Sequence, residues 1–99
     1  MKLMMFCVHD TASGVYDRPW CCRSVGEALR SFGDIAQDKS HPIGKHPEHF
    51  RLFKVGEFDD NSGKIKGIPA EHVVNAIDFI EEGVSSIAEG VGTALREVN

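Results

Sequence analysis

The sequence predicts an α+β fold: a small antiparallel sheet of about four strands with one packed helix, plus a C-terminal amphipathic helix suited to self-association. Three observations carry this expectation. A strand-length apolar run opens the chain at Leu3 to Val8. A helical apolar stripe follows a capping signal at Ser24. Two basic and apolar runs flank the turn-forming stretch "DDNSG", Asp59 to Gly63. Ninety-nine residues make one compact unit of this kind, divided here into an α+β core over 1–69 and a helix over 70–99.

Each element has a local reason. The run Leu3 to Val8 is almost continuously apolar, as expected of a strand covered on both faces. "DTASG", Asp10 to Gly14, supplies a turn, and Val15-Tyr16 starts a short partner strand that Pro19 limits. Ser24 stands three residues before Glu27, a capping box in which each side chain would satisfy an orphan backbone N–H. Val25, Ala28, Leu29, Phe32 and Ile35 then recur at helical spacing, to about Gln37. Asp38 to His49, with two prolines, a glycine and three histidines, reads as a loop.

"FRLFKVGEF", Phe50 to Phe58, reads as a strand whose alternation slips. Phe50 and Leu52 share one face, Phe53 and Val55 the other, so the strand is either buried on both sides or reset by a bulge near Gly56. Lys64 to Ile68 is the return strand of a hairpin. Pro69 suits the first position of a helix. From there Val73, Ile77, Ile80, Val84, Ile87, Val91 and Leu95 recur at spacings of three and four, a heptad-like seam. Ala76, Gly83 and Gly90 fall seven apart beside it and would admit close helix approach. A continuous helix here would be about 45 Å long, so the seam is expected to serve as an oligomer interface; a break near Gly83 is the alternative.

Composition narrows the function. With 41% hydrophobic and 26% charged residues, this is ordinary globular composition, and no apolar run is long enough to cross a membrane. "MKLMMFCV" is too short for a signal peptide, and three cysteines without CxxC spacing suit reduced thiols, so a cytoplasmic protein is expected. Net charge is −4, with −5 over residues 70–99 and +1 over the rest. A phosphate loop, a nucleophile elbow and paired catalytic carboxylates are all missing, so an enzyme is not expected. His46 and His49, with Asp59 and Asp60, could approach a metal-ligand set, but Pro47 separates the histidines and no third ligand is fixed. Neither a metal nor another cofactor is expected.

The basic and aromatic residues carry more. Arg51, Lys54, Lys64 and Lys66 lie on one hairpin among Phe50, Phe53 and Phe58, and Tyr16 and Trp20 lie near the first. Single-stranded nucleic acid is held by cations along its backbone and by bases stacked on aromatic rings. Arg51, Lys54, Lys64, Lys66, Tyr16 and Trp20 are therefore the candidate contacts, with Tyr16 and Trp20 the better stacking groups. Edge-strand lysines that guard against aggregation, and core phenylalanines, are the ordinary alternative.

"MKLMMFCVHD", "TASGVY" and above all "KHPEHFRLFKVGEFDDNSGKI" resemble the small non-structural protein of gokushovirus-type microviruses, tailless phages with circular single-stranded DNA genomes. The resemblance covers residues 1–69 and rests on His46, Pro47, Glu48, Leu52, Gly56, Phe58, Asp59, Asp60 and Gly63. His49-Phe50 stand where that family commonly has an acidic residue and Tyr. The resemblance implies a non-capsid protein of the host bacterial cytoplasm, acting in viral single-stranded DNA replication or its switch to packaging and labelled DNA-binding. The expected partners are single-stranded DNA and further copies of the chain. A protein-interaction adaptor that binds a viral or host replication factor is the alternative, which the acidic balance favours.

Overall fold

The N-terminal apolar run becomes an inner strand because both of its edges are used. In the computed structural model, which describes residues 1–80, β1 (Lys2–Asp10) pairs along its length with β4 (Phe50–Asp59). Its other edge takes two short strands end to end, β2 (Val15–Tyr16) and β3 (Trp20–Cys22). β5 (Ile65–Asn75) pairs with the far edge of β4, and every pairing is antiparallel. The order β2-β1-β4-β5, with β3 beside β2's position, gives five strands in four places.

The turns follow from their residues. Asp10 accepts from the Ala12 N–H (2.9 Å) and the Ser13 hydroxyl (3.1 Å), and Gly14 takes the left-handed φ of +79° that closes the turn. Asp59 repeats this logic at the second hairpin, accepting from the Asn61 N–H, with Gly63 at φ +77°. That hydrogen bond is the main cause holding the Asp59 carboxyl below its ordinary pKa.

Helix α1 (Val25–Ala36) starts where Ser24 accepts from the Glu27 N–H at 3.1 Å. Glu27 reaches back one residue further than a capping box requires, to the Arg23 N–H at 2.8 Å. The helix lies on one face of the sheet. Ala28, Phe32 and Ala36 from α1 meet Phe6, Val8, Leu52 and Val74 from the strands, with Cys22, Ile43 and Ala76 closing the cluster. Alternation puts Met4, Phe6 and Val8 on the helix side of β1 and Met5, Cys7 and His9 on the other.

Two stretches differ from expectation. Within the expected loop, Pro42–Lys45 forms a short helix α2, capped by His41 Nδ1 accepting from the Ile43 N–H, and Pro47–His49 forms a 3₁₀ turn. Each begins on a proline, whose missing N–H costs nothing at a helix start. Gly44 brings α2 against the Asp38 carbonyl so closely that a Cβ there would lie 1.9 Å from its oxygen. Gly44→Ala should therefore lower the unfolding free energy by about 2 kcal/mol or more. An unchanged urea midpoint would show that α2 is not seated as described.

The larger correction concerns 70–80. No helix begins at Pro69; β5 continues through it to Asn75, and Ala76–Phe79 is a 3₁₀ turn with Asn75 and Asp78 as its capping box. Leu52 pairs with Val74, Phe53 with His72 and Lys54 with Glu71, so pairing with β4 overrides the helical spacing of the apolar residues. Ile68, Pro69 and Ala70 bulge out opposite Val55, where proline is not asked for a ladder N–H. Val73 is thus a strand residue against the core, and Ile77 and Ile80 are half-buried in and after the turn. The expected boundary at 69/70 falls inside a strand. Val84, Ile87, Val91 and Leu95 lie outside the described residues.

Candidate nucleic-acid interface

Among the described residues no element covers the sheet face opposite α1. Register determines what stands on it. His9 pairs with Tyr16 on one side and Arg51 on the other, Arg51 pairs with Asn75, Cys7 pairs with Phe53, and Phe53 pairs with His72. Directly opposed residues project from the same face, so one row of rings crosses the whole sheet. Ring centroids are 4.4 Å apart for His9 and Tyr16, 5.5 Å for Tyr16 and Phe53, and 5.5 Å for Phe53 and His72. The Tyr16–Phe53 and Phe53–His72 contacts are edge-on, an arrangement that the ring quadrupoles favour.

The row is accessible and polar at its ends. Tyr16 is 48% exposed and Arg51 is exposed. His72 Nε2 lies 2.7 Å from Asn75 Oδ1, which fixes that imidazole. Beneath the rings Cys7 is buried, and burial pushes its thiol pKa up, so it contributes no charge. Further along the same face Gly67 opposes Gly56, and a Cβ on Gly67 would meet nothing within 4 Å. Beyond this open floor Leu3, Phe58 and Ile65 form an apolar row, with Ile65 66% exposed.

Of the residues expected to bind, Tyr16 and Arg51 stand on this face and the others do not. Lys54 pairs with Phe6 and so projects on the helix side, as does Lys66 through Glu57 and Met4. Lys64 lies in the hairpin turn, exposed. Trp20 pairs with Phe6 and packs against the core, its ring 6.3 Å from that of Phe6. The residues of this row that sequence reasoning did not name as contacts are His9, His72 and Phe53, the last passed over in favour of Tyr16 and Trp20. For His9 a signal existed, because the turn Asp10 to Gly14 makes it the neighbour of Tyr16. His72 had none, since it fell in the expected helix.

The slip in β4 is a bulge at Val55, beside Gly56, between the pairs Met5–Gly56 and Phe6–Lys54. It keeps Phe58 on the same face as Phe53 despite their odd spacing. His46 and His49 have ring centroids 6.3 Å apart, but they precede β4 and Asp59 and Asp60 stand at its far end. Asp60 instead binds the N-terminal ammonium at 2.7 Å. Among the described residues no three His, Cys, Asp or Glu side chains gather as metal ligands.

On the helix side, a cleft of about 390 Å³ lies between the first hairpin and α2, walled by Val8, Val15, Ile43 and Phe50. Asp10 and Asp17 at its rim give it the wrong sign for phosphate. The open face has the only stacking row among the described residues.

No helix of the described residues is long and apolar enough to cross a membrane. Neither a curated protein nor a solved structure matches the chain. Residues 3–79, which span the whole sheet, α1 and the closing 3₁₀ turn, match the family described as Phage ORF5 protein. That match covers well over half of the sequence, and the chain therefore belongs to the Phage ORF5 protein family, a family of phage proteins.

Proposed function

We propose that this phage protein binds single-stranded DNA across the open sheet face, with bases stacked on Tyr16 and Phe53 and the backbone held at Arg51. The supporting observation is the continuous ring row on a face that no described element covers. Each stacked base contributes about 1–3 kcal/mol, whatever its identity, which suits a protein that coats a strand rather than reads it. The resemblance to gokushovirus-type microviruses supports reading this binding as a step of viral single-stranded DNA replication or of its switch to packaging, in the host bacterial cytoplasm. Self-association through the apolar residues Val84, Ile87, Val91 and Leu95 would add affinity by linking weak sites.

The test is fluorescence anisotropy with a labelled oligothymidine, together with light scattering after size exclusion. Binding at 50 mM salt should weaken about seven- to twentyfold by 200 mM, as expected when two or three phosphates are neutralised. No binding at 50 mM salt would end this reading. The apolar row Leu3, Phe58 and Ile65 favours a second one, an adaptor that docks a viral or host replication protein on the same face. Under that reading Ile65→Lys would abolish capture of the partner while DNA binding is missing throughout.

A further inference from the structure

The open face is short of permanent cations. Among the described residues Arg51 is the one lysine or arginine that register places beside the ring row, since Lys54 and Lys66 project from the other side. Yet two of the four rings in the row are imidazoles, and they stand on either side of Phe53. His9 lies 6.0 Å from Phe53 by ring centroid, and His72 lies 5.5 Å away. We infer that His9 and His72 are phosphate-contacting groups of this face, so that a single-stranded polyanion binds with uptake of protons and more tightly as the pH falls. This rests on the nucleic-acid reading and adds to it both the residues that supply the missing charge and a control by pH.

Around His9 stand Tyr16 on β2, Asp17 just beyond it, Cys7 on its own strand and Arg51 on β4. Around His72 stand Phe53 on β4, Asn75 on its own strand and, diagonally, Arg51, with Asp78 in the 3₁₀ turn, while Lys54 and Glu71 pair on the opposite side of the sheet. The side-chain Oδ1 of Asn75 accepts from His72 Nε2. Histidine is the side chain whose charge ordinarily changes between pH 5 and 8. Phosphate favours the charged form, and by linkage the charged form favours phosphate. The sign is fixed: affinity rises as pH falls through this window and declines as it rises.

The experiment is anisotropy with an oligothymidine carrying a rhodamine dye insensitive to pH, at constant ionic strength, at pH 8.0 and pH 5.5. The full chain should bind about tenfold tighter at pH 5.5. In the His9→Gln/His72→Gln double variant the difference between the two pH values should shrink to about twofold or less, whatever its affinity at pH 8.0. His46→Gln/His49→Gln, altered in the 3₁₀ turn region away from the row, should keep the full difference. Circular dichroism at both pH values confirms that the variants are folded. Binding that is equally tight at both pH values, or a full pH difference surviving in the double variant, overturns the inference alone. No binding at either pH overturns the nucleic-acid reading with it.

Discussion

Phe53→Ala is expected to weaken oligothymidine binding about ten- to a hundredfold, the loss of one stacked base. Phe53 is the middle of the row, in contact distance of Tyr16, His9 and His72, so removing it also separates the rings on either side. Phe53→Leu keeps apolar volume without a flat ring and should lose most of the same affinity, which separates stacking from simple packing. Tyr16→Ala, in a two-residue strand whose side chains are exposed, should cost less stability and a similar amount of binding. Lys54→Gln is the sharp contrast, because Lys54 was a candidate by sequence but projects on the helix side. It should change affinity by no more than about twofold. Were Lys54→Gln to weaken binding more than Phe53→Ala, the nucleic acid would be using the other side of the sheet.

The second large effect is on stability. Phe32→Ala should lower the unfolding free energy by about 3–5 kcal/mol, measured by urea titration. Phe32 is 1% exposed, sits at the middle of the core between α1 and the sheet, and meets Phe79 edge-on at 6.1 Å. Its loss leaves a cavity in a small domain whose whole stability is about 5–15 kcal/mol. Ile35→Ala lies on the same helix at 36% exposure and should cost about 1 kcal/mol or less. Equal costs at the two positions would mean that α1 packs through a different face.

The contrast between these residues shows what was legible in the sequence. Helix α1 was, because Ala28, Phe32 and the cap at Ser24 state start, face and period together. So were β1, the turns at Asp10 and Asp59, and a bulge near Gly56. The end of the sheet was not. Val73, Ile77 and Ile80 have helical spacing, but a strand needs a partner that sequence spacing does not name, and β4 supplied one. The candidate site was legible by residue type and not by side. Arg51 and Lys54 are three apart in a strand, so simple alternation already separates them. That Arg51 shares a face with Tyr16 and Phe53 depended on register across three strands, and the partnership of His72 with Phe53 depended on a strand extension that the spacing concealed.

The bulge at Ile68–Ala70 has a consequence for how the molecule behaves in company. Among the described residues β5 is an outer strand, eleven residues long, and an edge of that length is ordinarily a template on which a second chain can add hydrogen bonds and begin a fibril. Here the middle of that edge swells by two residues, and Pro69, with no N–H to offer, sits within it. A second irregularity falls at Val73, between the pairs Phe53–His72 and Leu52–Val74, so a neighbouring strand could align with one short piece of this edge but not with its length. The protein can therefore carry a sheet face that no described element covers, with exposed rings and Ile65, and still resist stacking edge to edge into insoluble assemblies.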